Sequence, residues 1–405
     1  MHILMLSSTF PYPPTRGGTQ VRTFNLLKHL SQRHAITLVT QRDRDVTEVE
    51  IAGLQDCVDH LVVFERPPDA GTASGIVKKI QRLSEFWQQG TPPSVLNRYS
   101  VEMQAWIDNY VQEQKCDVIT CEHSVNEIYV RSHFQKSLRT VVNIHSSVYG
   151  SCLNQLASGV SENRLRDQIN LPLLRRYEQK YGSKFSALVV TTEEDKSQLQ
   201  KFHPHKEITV IPNGVDLVTF PNRTTDPGGY KLVFIGAMDN LANIDAVCFF
   251  TNQVLPEIQK YYPQTTFDIV GSRPAPEVLA LKQPGVNVTG RVPSMVDYLH
   301  QSTVCVVPMR TGFGIKNKTL EAMAAGVPVV ASDRGLEGLA VDTPLRALRA
   351  NEPADYVTAI SQLFDQPQLR SKLSDNARQL VETEFTWDIA GKRYEQVCLE
   401  LDGQK

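Results

Sequence analysis

This 405-residue chain lacks any run approaching the roughly 20 consecutive apolar residues of a membrane-spanning helix. Neither sign of charge dominates: 42 Lys and Arg face 44 Asp and Glu, a net charge of −2, so nothing global points to a nucleic-acid partner. Its seven cysteines (Cys57, Cys116, Cys121, Cys152, Cys248, Cys305 and Cys398) are scattered and odd in number, which argues for a reducing compartment over a disulfide framework. Cys116 and Cys121 lie near His123, but no second pair completes a tetrahedral set, so no metal site is expected. There is no internal repeat at solenoid periods and no low-complexity tract. The opening residues, Met1-His-Ile-Leu-Met-Leu-Ser-Ser-Thr-Phe10, carry no basic leader and read better as a first buried strand than as a signal peptide. The expected location is cytoplasmic, with peripheral contact at the inner face of a membrane left open.

What the chain does have is alternation. A length of 405 residues allows two or three domains of about 100–200 residues, each able to bury an ordinary core. Short apolar runs alternate with longer amphipathic stretches, the pattern of parallel sheets covered by helices. Strands are expected at Ile3–Leu6, Ile36–Thr40, His60–Phe64, Val118–Cys121, Val141–Ile144 and Ala187–Thr191. A second series is expected at Lys231–Ile235, Thr266–Val270, Val286–Thr289, Val304–Val307 and Val327–Ala331. Helices are expected near Gln20–Ser31, Val101–Gln114 and Asn163–Phe185. Two Rossmann-like, doubly wound α/β domains in sequence are the simplest account. The turn-rich segment Ile211–Gly229, with Pro212, Pro221, Pro227 and Gly228-Gly229, marks the seam. The expected divisions are an N-terminal acceptor-binding domain over 1–215, a C-terminal donor-binding domain over 230–380, and a last helix over 385–403.

The most telling segment is Thr311-Gly-Phe-Gly-Ile-Lys-Asn-Lys-Thr-Leu-Glu321, a glycine loop with two lysines that runs into a helix. Gly312 and Gly314 let a backbone approach a ligand, and free amides at a helix start attract phosphate. Lys316 and Lys318 add point charges for a diphosphate, and Glu321 could accept hydrogen bonds from ribose hydroxyls. The simpler reading is a loop-to-helix joint in which Glu321 complements the helix dipole and the lysines are solvated.

Leu320-Glu-Ala-Met-Ala-Ala-Gly-Val-Pro-Val-Val-Ala-Ser332 resembles the donor-site helix and following strand of the family 4 retaining glycosyltransferases, which have the GT-B fold. Ile211-Pro-Asn-Gly-Val-Asp216, Leu232-Val-Phe-Ile-Gly236, Phe267-Asp-Ile-Val-Gly271 and Val288-Thr-Gly-Arg-Val292 follow in that family's order, and Pro13-Pro-Thr-Arg-Gly-Gly18 resembles its acceptor-domain glycine loop. The resemblance implies two domains facing a central cleft, with the last helix crossing back to the first, so that Trp387 and Tyr394 are packing residues. It implies donor contacts at Gly18, Asn243, Arg291, Gly314, Ile315, Lys316, Asn317, Lys318, Thr319 and Glu321. It implies catalytic roles for His145 and Lys318, and an acceptor side at Arg16, Gly17 and Gly18. His145 ends the run Val141-Val-Asn-Ile-His145, where a parallel strand delivers residues to a ligand site; a hydrogen-bonded histidine with no catalytic part is the alternative. His123 is taken as structural. Arg16 and Arg22 flank the glycine loop and could bind an anionic acceptor, or be ordinary surface arginines.

Two departures stand out. The family's first carboxylate, just before Gly-Phe-Gly, is absent, because Thr311, Gly312 and Phe313 are not acidic. The arginine and lysine usual after the strand matching Leu232–Gly236 are also absent, replaced by Ala237-Met-Asp-Asn-Leu-Ala-Asn-Ile244, and Lys316 or Lys318 could supply that charge from the other loop. Both features resemble a subgroup of sugar transferases associated with exopolysaccharide and exosortase systems. The resulting expectation is a metal-independent transferase, without a cofactor, that moves a sugar from a nucleotide-diphosphate donor to a glycan or lipid-linked acceptor in polysaccharide biosynthesis. The alternatives are a nucleotide-sugar-binding protein without activity and a sugar-nucleotide epimerase on the same fold. Two surfaces are of mixed character. A possible amphipathic helix with Ile76, Val77, Ile80, Leu83 and Trp87 on one face could lie in a membrane interface but reads better as a helix packed on its own domain. The run Arg164, Arg166, Arg175, Arg176, Lys180 and Lys184 on one helix could meet an anionic acceptor but reads better as a solvated face.

Overall fold

The computed structural model describes residues 1–14, 17–67, 84–157, 159, 161, 163–312 and 314–400. Arg16 and the stretch Ile76–Leu83 therefore lie outside the described residues. The chain divides into two units, Met1–Pro212 with Ala390–Lys405, and Asn213–Ile389.

The first unit is built on seven strands: β1 (His2–Ser7), β2 (Ala35–Arg42), β3 (His60–Glu65), β4 (Val118–Glu122), β5 (Arg139–Ile144), β6 (Ala187–Val190) and β7 (Glu207–Val210). They are all parallel, in the order β3-β2-β1-β4-β5-β6-β7. Ile3, Leu4, Met5 and Leu6 are completely buried, as a strand covered on both faces must be. The edge strand β7 was not expected, because Glu207-Ile-Thr-Val210 is short and half polar. The principal helices are α1 (Gly18–Leu30), α2 (Val101–Gln112), α3 (Val148–Ala157), α4 (Arg164–Gly182) and α5 (Glu193–Phe202). On α4, Arg175 lies over the Phe202 ring and Arg166 pairs with Asp167, so this basic run is partly committed to its own fold.

The second unit holds β8 (Lys231–Ile235), β9 (Thr266–Val270), β10 (Val286–Val288), β11 (Val304–Val307), β12 (Val329–Ala331) and β13 (Leu348–Arg349), in the order β10-β9-β8-β11-β12-β13. Its principal helices are α6 (Leu241–Phe249), α7 (Asn317–Ala324), α8 (Pro353–Asp365) and α9 (Pro367–Glu384). The last helix, α10 (Trp387–Leu399), belongs to the first unit from Ala390 onward. In both sheets the strand order reverses beside the first strand of the set, at β1/β4 and at β8/β11. In open parallel sheets ligands bind beyond the carboxyl ends of strands at such switch points.

Candidate active site

In the second unit the switch point is crowded enough to demand glycine. Gly236, directly after β8, has φ +154°, and a Cβ there would come within 2.9 Å of Asn243 Nδ2 and 3.3 Å of Lys318 Cε. Gly271, after β9, repeats this conformation, and a Cβ on it would fall 1.6 Å from the Gly236 carbonyl oxygen. Small residues here let α6 and α7 close on the strand ends.

Lys318, in the first turn of α7, donates from Nζ to Asn243 Oδ1 at 3.0 Å. The Asn243 amide is oriented by its own donation from Nδ2 to the Ala237 carbonyl at 2.8 Å. Lys318 Nζ also lies 5.2 Å from the centroid of the Phe234 ring, a cation–π contact. Burial lowers its pKa, against the attraction of Glu321. Burial in turn pushes Glu321 up to about 7, with Lys318 opposing. Among the described residues no group hydrogen-bonds the Glu321 carboxylate, so both its oxygens stay available. Lys318 thus lies beside the first turn of α6, next to the segment after β8 that carries no cation.

Lys316 is placed differently. Only 7% exposed, its Nζ donates to the Gly314 carbonyl, reaches the Gly312 carbonyl at 3.5 Å and pairs with Glu337 at 3.3 Å. Burial lowers its pKa to about 8, with Glu337 working the other way. Gly312 and Gly314 have φ of +94° and +71°, in the left-handed region that favours glycine. Ile315 is buried in the core. Thr319 is also buried and donates from Oγ1 to the Gly335 carbonyl at 2.8 Å, so its side chain is committed to the fold. Asn317 is partly exposed and accepts from Asn213 Nδ2 at 3.1 Å. Arg291 is exposed after Gly290.

In the first unit the strand ends carry His123 after β4 and His145 after β5, with ring centroids 5.0 Å apart. His145 is held well below the usual histidine pKa by burial, then by His123 and Arg22, so it is neutral at working pH. Its Nε2 is buried without a hydrogen-bond partner among the described residues. His123 has φ +83°, unusual for a residue with a side chain, and its Nδ1 accepts from the Val125 amide at 3.3 Å. Burial and Arg98 lower its pKa to about 4. Gly17 and Gly18 open α1, and a Cβ on either would meet nothing within 4 Å, which leaves room for a ligand.

Arg22 differs from both readings made of it. It is neither a surface residue nor an open anion site, being 1% exposed with Nε donating to Asn143 Oδ1 at 3.0 Å. Asn143 Nδ2 donates to Glu122 Oε2 at 2.8 Å, and Tyr394 of α10 donates to Glu122 Oε1 at 2.5 Å. Tyr394 therefore packs, as expected, but also satisfies a buried carboxylate. Burial raises the Glu122 pKa and lowers that of Arg22 to about 10. Sequence reasoning missed Glu122, Asn143 and Glu337, and set His123 aside. One signal was present: Glu122 closes the otherwise uncharged strand Val118-Ile-Thr-Cys-Glu122, and a lone carboxylate in such a run needs internal partners. A depression of about 510 Å³ lined by Gln135, His203 and Glu207 lies instead at the amino end of β7, remote from these strand ends.

The comparisons with known proteins agree with this architecture. Residues 16–219 match the model of Glycosyltransferase Family 4, and residues 229–366 match that of Glycosyl transferases group 1. Glycogen synthase of Mycobacterium tuberculosis is 28% identical over 207 residues, 48% of this chain and 48% of that protein, so the match spans about half the length of the relative. A putative glycosyltransferase of Bacillus subtilis, YtcC, is 38% identical over 80 residues, 19% of this chain and 20% of that one. Among solved structures, sucrose-phosphate synthase from Thermosynechococcus elongatus superposes with a TM-score of 0.67 at 18% identity, covering 98% of each chain. HepE from Anabaena, solved with UDP-glucose, gives 0.62 at 14% identity over 99% of this chain and 100% of that one. At such identities the structural likeness concerns the fold, which is GT-B: two Rossmann-like domains in one chain. The family model alone covers half of the sequence, and this chain belongs to glycosyltransferase family 4.

Proposed function

We propose that the protein transfers a sugar from a nucleoside-diphosphate donor to an acceptor hydroxyl, retaining the anomeric configuration and without a divalent ion. The observation that carries this reading is Lys318, held by the neutral Asn243, one helical turn from the uncommitted Glu321 carboxylate at the β8/β11 switch point. Glu321 would take the ribose hydroxyls, and Lys318 with the loop amides would take the diphosphate. In the reaction the bond from the anomeric carbon to the phosphate oxygen breaks and a bond to the acceptor oxygen forms. The acceptor proton passes to the departing phosphate, whose growing charge Lys318 stabilises. His145, kept neutral, serves as a hydrogen-bonding group near the sugar. HepE was solved with UDP and with UDP-glucose, which makes UDP-sugars the first donors to try. A glycan or lipid-linked acceptor in polysaccharide biosynthesis fits the first unit. For a lipid-linked one, the exposed Leu165 and Ile169 beside Arg164 and Arg176 on α4 suit a membrane surface in the cytoplasm.

The missing carboxylate before Gly312 favours a second reading, a nucleotide-sugar-binding protein without turnover. A thermal-shift panel of UDP-, GDP- and ADP-sugars, read for sugar release in the same wells, separates the two. A shift with slow release is expected. A shift with no release even when acceptors are added would favour the binding protein, and no shift with any nucleotide would refute the donor site.

A further inference from the structure

The two lysines of the donor loop are chemically identical and two residues apart, yet their protons are spent differently. An ammonium has three donors. Lys316 Nζ has three acceptors within reach, the carbonyls of Gly312 and Gly314 and the Glu337 carboxylate. Glu337 is itself held by Arg334 Nη1 at 3.0 Å. Lys318 Nζ has one acceptor among the described residues, Asn243 Oδ1, which leaves two protons for a ligand. A phosphate at Lys316 would have to displace a protein partner, whereas one at Lys318 would not.

The carbonyls that Lys316 holds belong to the glycine loop itself. A trans peptide is planar, with its C=O and N–H pointing in opposite directions. Since the Gly314 carbonyl is turned onto Lys316 Nζ, the Ile315 amide must point away from it. The left-handed φ of Gly312 and Gly314 makes this turn accessible to the backbone. A loop that gathers carbonyls around a buried cation on one side offers amides on the other, the arrangement that binds anions.

We infer that Lys316 is a positioning residue: held by Glu337, it gathers the loop carbonyls so that the loop amides face the donor phosphates, and Lys318 supplies the cation that touches them. This rests on the donor-site reading above and corrects the sequence expectation that both lysines contact the diphosphate.

The test compares Lys316→Met, Glu337→Met and Lys318→Met by two measurements. Hydrogen–deuterium exchange of residues 314–320 without nucleotide reads the loop directly. Lys316→Met and Glu337→Met should speed exchange by about tenfold, while Lys318→Met should stay within about twofold of native. Unchanged exchange in Lys316→Met would overturn the inference. The second measurement is calorimetric affinity for UDP, GDP and ADP in turn at pH 6.5, where Lys316 remains protonated. Removing a carboxylate beside a phosphate-binding lysine should tighten binding. Removing the support of a positioning lysine should weaken it, and about fivefold weakening is expected for Glu337→Met. Equal or tighter binding would overturn the proposal. If Lys318→Met and Glu321→Gln bind every nucleotide as the native protein does, the donor-site reading fails instead, and the exchange result still decides the role of Lys316.

Discussion

The two sheets end in similar places, but they treat buried charge in opposite ways. At β4 and β5 of the first unit, Arg22, Asn143, Glu122 and Tyr394 are linked in a chain of hydrogen bonds that gives the buried Glu122 carboxylate two donors. At β8 and β11 of the second unit, among the described residues, Lys318 has one hydrogen-bond acceptor, a neutral amide, and Glu321 has no hydrogen-bond donor. Charges that saturate each other hold a structure together. Charges left partly unsatisfied are destabilising until a ligand arrives, and such perturbed groups tend to mark functional sites. The first network reads as architecture, the second as a binding site.

The sharpest way to break this contrast is to remove one charge from each side. Arg22→Met should destabilise the first unit by about 3 kcal/mol, because it removes the buried cation that favours the Glu122 carboxylate and the donor to Asn143. The loss should be smaller at pH 5 than at pH 8, since the raised pKa of Glu122 lets it protonate, and urea unfolding at both pH values checks this. A small, pH-independent change would mean that Arg22 does not support the Glu122 carboxylate. Lys318→Met should instead lower kcat/KM by about 100-fold, the scale seen when a donor to developing charge is lost. Its folding stability should change less than that of Arg22→Met, because Glu321, deprived of the attraction of Lys318, is already poised to protonate near neutral pH. Parallel loss of activity and stability would return Lys318 to architecture.

A smaller effect comes from Glu321. If its ionised form binds ribose, nucleoside-diphosphate affinity should fall severalfold between pH 8 and pH 6, and Glu321→Gln should bind more weakly with a flat profile. Its folded pKa of about 7 lies above the unfolded value, so its charge costs stability as pH rises from about 4.5 to 7. Glu321→Gln should therefore melt slightly higher at pH 8, which calorimetry would read. The smallest expected change is at α10, where Glu395 meets His34 at 2.8 Å and Arg33 at 2.9 Å. Burial works against its charge, but His34 and Arg33 hold its pKa below the usual value. That contribution is present at neutral pH and lost as pH falls through the folded pKa, so Glu395→Gln should cost about 1 kcal/mol at pH 7 and almost nothing in acid. An equal cost at both pH values would exclude an ionic role.

The fold was legible because its signals are local. Ile3-Leu-Met-Leu6 and Lys231-Leu-Val-Phe-Ile235 are short, nearly continuous apolar runs, and such runs alternating with amphipathic helices admit few arrangements besides parallel sheets. The glycine loop and its two lysines were legible for the same reason, since Gly312, Gly314, Lys316, Lys318 and Glu321 lie within ten residues. Glu122 and Arg22 were harder. They stand a hundred residues apart, and their partnership becomes visible only when Arg22 of α1 reaches Asn143 of β5, which bonds Glu122. His123 was taken as structural because it fits the family pattern less well than His145, and nothing in the sequence places the two rings 5.0 Å apart.

The sequence by itself determined the two doubly wound sheets and the presence of a cationic glycine loop before a helix, because periodicity and backbone permissiveness are written residue by residue. It also determined that a carboxylate is missing before Gly312. Which lysine remains available to a ligand was decided by tertiary structure alone. Burial and hydrogen-bond saturation depend on groups from other elements, Glu337 and Arg334 after β12 for Lys316, and Asn243 of α6 for Lys318. Two identical side chains acquire different chemistry from neighbours that local sequence does not specify.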